Sequence, residues 1–202
     1  MLQVNKVVGS VLSSNMYILF EEDTHDCWIV DIGDFYLLNK SLPTSACVKG
    51  LFLTHGHFDH IAGINDFYES FPQSVIYTSE YGKEQLYSDK KNFSLYHDKS
   101  IVFKGPESSI SILKDGDEII MSEGNKIHVL ATPGHCPSCL TYYTNDYIFT
   151  GDSYIPNTQI VTKLPHGNKR LAVESLNRIL SNTINKTLYA GHDVDKWVSY
   201  FG

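Results

Sequence analysis

Residues 54–63 read THGHFDHIAG, which places His55, His57, Asp59 and His60, four groups that can all bind a metal, within six positions. The run that leads into it, VKGLFLTH from Val48, is apolar and β-favouring, and Gly56 can take backbone angles that other residues avoid. The segment therefore reads as a buried strand ending in a loop. Side chains at alternate positions of extended chain point the same way, so His55, His57 and Asp59 converge while His60 turns to the other side. Such a cluster can serve two adjacent ions. Imidazole and carboxylate without thiolate suit zinc, and also iron or manganese, and are common in hydrolytic sites. Histidines on a solvated loop are the bland alternative, but ionisable groups seldom gather at this spacing without a task.

Working outward, NMYILFEE and CWIVDIG are two apolar strands separated by the polar turn EDTHD. Beyond the cluster, IAGINDFYESF has helical spacing and ends before Pro72, and SVIYTSE is a further strand. The polar stretch from about Lys83 to Ser109 reads as a helix and a loop that border a site. Strands return with SISILKDGDEI, KIHVLATPGH and LTYYTNDYIFTGD, the last turning at Asn145 and Asp146. RLAVESLNRIL is an amphipathic helix on which Leu171, Leu176, Ile179 and Leu180 can share a face, and KTLYAGH is a last strand. Strand runs in both halves, each followed by a helix, imply an α/β arrangement with two sheets. With no linker, repeat or low-complexity tract, residues 1–202 read as a single domain.

The composition, 42% hydrophobic and 19% charged, is that of an ordinary globular domain. A net charge of -7 disfavours a nucleic-acid binder, which needs a basic face. The first residues lack an apolar core of signal-peptide length, and nowhere is there an apolar run of about 18 residues that would span a bilayer. The expectation is a cytoplasmic protein acting on a small-molecule substrate, with no nucleic acid and no membrane as partner and no oligomeric state specified. Four cysteines, at 27, 47, 136 and 139, are too few and too irregular for a disulfide scaffold.

Three more candidate ligands follow glycines where strands are expected to end: His135, Asp152 and His192. Taken singly, a packed histidine or a turn-capping aspartate is the simpler account. Together with the first cluster they supply five histidines and two aspartates. His25, His97, His128 and His166 lack such context and read as ordinary histidines.

HGHFDH resembles the HxHxDH signature of the metallo-β-lactamase superfamily, and TPGH, FTGD and AGH are similar to its later metal-binding motifs in the same order. The resemblance implies a four-layer αββα sandwich with the metals at one edge of the sheets. It implies His55, His57 and His135 on one metal, Asp59, His60 and His192 on the other, and Asp152 bridging them. Asp31, in VDIG, looks like the family's supporting aspartate, and carboxylates in that position fix the orientation of metal-bound imidazoles. Two ions, zinc by preference with iron or manganese as options, would share a water and lower its pKa, which suggests hydrolysis. Asp59 would orient the nucleophile and pass its proton to the leaving group.

Within the superfamily the chain most resembles glyoxalase II-like thioester hydrolases, in TPGH, in the GDS step and in KLPHGNKRLAVESLNRIL. Ten residues follow His192, too few for the C-terminal domain with which full-length glyoxalase II binds glutathione, so the resemblance does not carry glutathione specificity over to this chain. Asp152, where some β-lactamases carry cysteine, argues against that antibiotic-hydrolysing subgroup. CPSC after His135 departs from the family's usual Thr, Gly or Ser, and Cys136 and Cys139 read more readily as small buried residues than as a redox pair. Two alternatives stand beside the hydrolase: a persulfide dioxygenase of the same fold with one iron, and a non-catalytic metal-stabilised binding module.

Overall fold

Residues 15–20, NMYILF, are apolar at every position but the first, and the fold uses both faces of the strand they form. In the computed structural model, which describes residues 2–97, 99–122 and 124–193, the chain builds two mixed sheets. The first is ordered β1 (Leu2–Val8), β2 (Asn15–Glu21), β3 (Asp26–Val30), β4 (Cys47–Phe52), β5 (Val75–Thr78), β6 (Ile110–Ile112). Its first three strands are antiparallel and its last four parallel. The second sheet takes β7 (Glu118–Ser122), β8 (Asn125–Ala131), β9 (Leu140–Tyr143) and β10 (Tyr147–Gly151) as an antiparallel meander, and β11 (Thr187–Ala190) joins β10 in parallel.

Parallel neighbours need crossovers, and helices supply them. Those of the first sheet are α1 (Phe35–Ser41), α2 (Phe58–Ile61) with α3 (Ile64–Ser70), and α4 (Glu80–Leu86). Met16, Ile18, Ile29 and Leu51 pack with Leu38, Ile64, Phe67 and Leu86 of these helices. Tyr17, Leu19, Trp28, Val30 and Phe52, the alternate positions, face Met121, Ile127, Val129, Tyr142 and Phe149 of the second sheet. Strands covered on both faces have no polar side to show, which explains the unbroken apolar runs. On the far face of the second sheet, Leu130 and Ile148 pack with Ile179 of α5 (Lys169–Asn182). The layers thus run helix, sheet, sheet, helix, the sandwich that the family resemblance implies. No helix among the described residues is long and apolar enough to cross a membrane.

Three local expectations need correction. SISILKDGDEI is two strands in different sheets, because Gly116 turns the chain at a φ of 83° and the Asp117 carboxylate accepts the Lys114 N–H at 2.7 Å. IAGINDFYESF is broken at Gly63, where a side chain would crowd Phe35, so α2 and α3 are separate short helices. On α5 the buried positions are Ala172, Ser175 and Ile179, while Leu180 is exposed. Small residues let this helix sit directly on the turn after β8: Ser175 Oγ donates to the Pro133 carbonyl at 2.7 Å, and a Cβ on Gly134 would collide with the Ala172 backbone.

Candidate metal centre

Every candidate ligand lies at the end of a strand or in the segment just after it. His55 and His57 follow β4, Asp59 and His60 lie on α2, His135 follows β8, Asp152 follows β10, and His192 follows β11. Local hydrogen bonds draw these ends together. Asn15 at the start of β2 donates its backbone N–H to Gly191 at 2.7 Å and its side-chain amide to Ala190 at 3.0 Å, while Gly191 donates to Gly151 at 2.9 Å. Glycine is required at 191 because a side chain there would meet the Asp152 carboxylate and the His60 ring.

The seven side chains gather into three overlapping groups that could hold a metal ion: His55, His57 and His135; His55, His60 and Asp152; and Asp59, His60 and His192. His135 Nε2 stands 3.0 Å from His57 Nδ1, and His60 Nε2 stands 3.2 Å from His192 Nε2. Asp59 Oδ2 lies 3.2 Å from His192 Nε2. Asp152 spans both sides, with Oδ2 at 3.6 Å from His135 Nε2 and Oδ1 at 3.5 Å and 3.6 Å from the Nε2 atoms of His60 and His192. His55 Nε2 and Asp152 Oδ1 are buried without a hydrogen-bond partner among the described residues. Buried polar atoms left so, amid nitrogens facing one another, fit divalent cations as the missing partners.

Behind the ligands, Asp31 accepts three hydrogen bonds. His60 Nδ1 is at 2.8 Å, and the Thr54 backbone N–H and hydroxyl are each at 2.7 Å. Its backbone sits in the left-handed region with a φ of 59°, a conformation Asp tolerates better than most side chains. Thr54 Oγ1 is also 3.1 Å from His55 Nδ1. His135 is held differently, its Nδ1 lying 2.8 Å from the Val161 carbonyl. Ser14 Oγ donates to the Asp59 carbonyl at 2.6 Å and pins the first turn of α2.

The electrostatics favour the ligating forms at most positions. Burial, aided by the imidazoles of His60 and His57, holds the His55 pKa well below the ordinary imidazole value, and burial with His57 lowers His135. Both rings are therefore neutral. Burial works to raise Asp152, yet His192 and His60 more than reverse it and keep the carboxylate well below its usual range; Asp59 is lowered in the same way, chiefly by His60. Burial pulls His60 down, but the carboxylates of Asp59, Asp31 and Asp152 drive it well above the usual value. A cation binding there must displace a proton.

The structure thus brings together all seven expected ligands, with Asp31 behind them. Thr54, Ser14 and the Val161 carbonyl were not anticipated; Thr54 adjoins the motif, whereas a backbone carbonyl carries no sequence signal. His25 and His128 are structural, bonded to Ser45 and Glu118 respectively, each at 3.0 Å. His97 is not idle: it stacks on Phe58 of α2 at 3.9 Å between centroids, and it lines a cavity with His166. Cys136 and Cys139 are free buried thiols with sulfurs 3.1 Å apart, within the same turn as His135.

A family model described as the metallo-beta-lactamase superfamily matches residues 47–192. Among solved structures, the chain is similar to BLEG-1 B3 metallo-beta-lactamase, with a TM-score of 0.82 at 22% identity over 94% of this chain and 91% of that one. ETHE1 from Myxococcus xanthus gives 0.71 at 24% identity, covering 95% of this chain and 76% of the other. TTHA1623 in a di-iron-bound form gives 0.76 at 22% identity, covering 93% and 91%. At these identities the likeness concerns the fold.

Proposed function

Because the chain belongs to the metallo-beta-lactamase superfamily, we propose that it is a binuclear metal-dependent hydrolase acting on a thioester or a related small ester or lactone. The observation that carries this reading is the reach of Asp152, whose two oxygens face His135 on one side and His60 with His192 on the other. A carboxylate so placed suits two ions rather than one. His55, His57 and His135 would hold the first, Asp59, His60 and His192 the second, with Asp152 between them. Two bound ions would supply Lewis acidity and lower the pKa of a water they share.

The chain's own part is positioning and proton traffic. Asp59 Oδ2, close to His192 and His60, is placed to orient the attacking water and to carry its proton to the leaving group. Asp31 keeps the His60 proton on Nδ1, which leaves Nε2 free to bind. Thioesters are favoured over β-lactams by the glyoxalase II-like motifs around His135, Asp152 and α5. Zinc is the preferred metal, and the likeness to a di-iron-bound protein keeps iron as an option.

Elemental analysis of the purified protein, followed by a panel of thioesters, lactones and phosphodiesters, tests this. About two ions per chain and thioester turnover that stops on chelation are expected. One iron per chain with oxygen uptake on a persulfide would overturn it in favour of the dioxygenase, and bound metal with no turnover on any class would favour the binding module.

A further inference from the structure

Beside the metal centre lies a cavity of about 600 Å³ whose walls come from residues 88–97 and 164–166. Both walls are fastened to segments that carry proposed ligands. On one side the Phe58 N–H of α2 donates to the Asn92 carbonyl at 2.9 Å, and buried Asn92 is itself fixed by bonds of 2.9 Å to Gln85, Ile101 and Ser94. This sets the Phe93 ring 4.9 Å from that of His57. On the other side the Asn168 N–H donates to Gly134 at 2.7 Å, next to His135, and the Gly167 N–H donates to Leu164 at 2.9 Å. The cavity is therefore preformed and adjoins the His57 and His135 side of the centre.

Its chemistry is uneven. Phe93, Tyr96, Leu164 and Pro165 supply an apolar floor, and among the described residues none that lines it is acidic. Of its two lysines, Lys91 is engaged by Glu84 at 2.5 Å and lies over the Tyr81 ring. Lys90, at the exposed rim, makes no ion pair among the described residues. Apolar walls with one lysine outside any ion pair among the described residues select an apolar molecule with one anionic end.

We propose that this cavity seats one arm of the substrate, an apolar, phenylalkyl-sized arm ending in a carboxylate that meets Lys90. The assignment rests on the hydrolase reading for what happens at the other end of that arm, but not for the binding itself. It makes Phe93 and Lys90 determinants of specificity: Phe93 orders the arm against His57, and Lys90 reads its end.

Calorimetric titration of the metal-loaded protein with 5-phenylpentanoate and with 5-phenylpentanamide tests the assignment without turnover. The carboxylate should bind more tightly than the amide, and Lys90→Glu should weaken it roughly fivefold to tenfold while leaving the amide unchanged. Phe93→Ala should weaken both. Lys99→Glu, in the neighbouring cavity beside Asp34 and Asp66, should change neither. Equal affinity for the two probes, an equal loss of both in Lys90→Glu, or no binding of either would overturn the assignment. Protein that discriminates the probes through Lys90 yet cleaves no thioester, ester or lactone would sustain the cavity and remove the hydrolase reading alone.

Discussion

His60 and His135 are both buried rings at the candidate metal centre, yet they are held by different means. His60 leans on a carboxylate, Asp31, which also takes two bonds from Thr54; His135 leans on a backbone carbonyl, that of Val161. The carboxylate carries charge and helps drive His60 well above its ordinary pKa, whereas the His135 pKa stays below it. One support therefore adjusts the basicity of its ligand as well as its direction; the other mainly fixes direction. The difference separates what a side-chain substitution can reach from what it cannot.

Four measurements would break or sharpen this contrast. The largest effect is expected at Asp59, beside His60. Asp59→Asn should lower kcat by about 10²–10⁴-fold with thermal stability retained, and unchanged turnover would remove the catalytic role from that side. Asp31→Asn, which keeps a residue tolerant of the left-handed backbone, should weaken one of the metal-binding steps by about 10–100-fold in a chelator competition. Loss spread equally over both steps would dissolve the contrast.

The third measurement is pH. His60 must lose its Nε2 proton to bind, so affinity on its side should fall by about tenfold per unit as pH drops below its raised pKa. Above that pKa the dependence should flatten. His55 and His135, already neutral, contribute no such slope near neutrality, and a flat profile across the acid range would contradict the assignment. Val161→Ala should do least, costing about 1 kcal/mol of stability by lost packing and leaving affinity within a factor of two. A large loss of metal would show that the side chain, rather than the carbonyl, places His135.

The same contrast explains how far the sequence could be read. HGHFDH, TPGH, FTGD and AGH were legible because metal ligands must be particular side chains, and the strands before them because two-sided burial demands apolar runs. Asp31 was visible only through the resemblance of VDIG to the family's supporting aspartate. The Val161 carbonyl was not, since any residue has one. On α5 the 3.6-residue period was clear, but periodicity alone favoured Leu180 over the small Ala172 and Ser175, whose burial depends on the close approach of Gly134. The stretch that holds Lys90 and Phe93 reads as bordering a site, but which of its residues form a wall, and that His166 joins them, carries no signal, because the walls of a cavity are defined by which loops meet.

The bonds from Asn15 to Ala190 and Gly191 join parts of the chain some 175 residues apart. Closing so long a loop is slow and comes after local structure has formed. The segment holding His55 to His60 can thus be in place well before β11 brings His192. Metal offered early in refolding would meet only half of its ligands, so its presence should leave the rate of collapse unchanged and act instead by holding the last strand once it has docked.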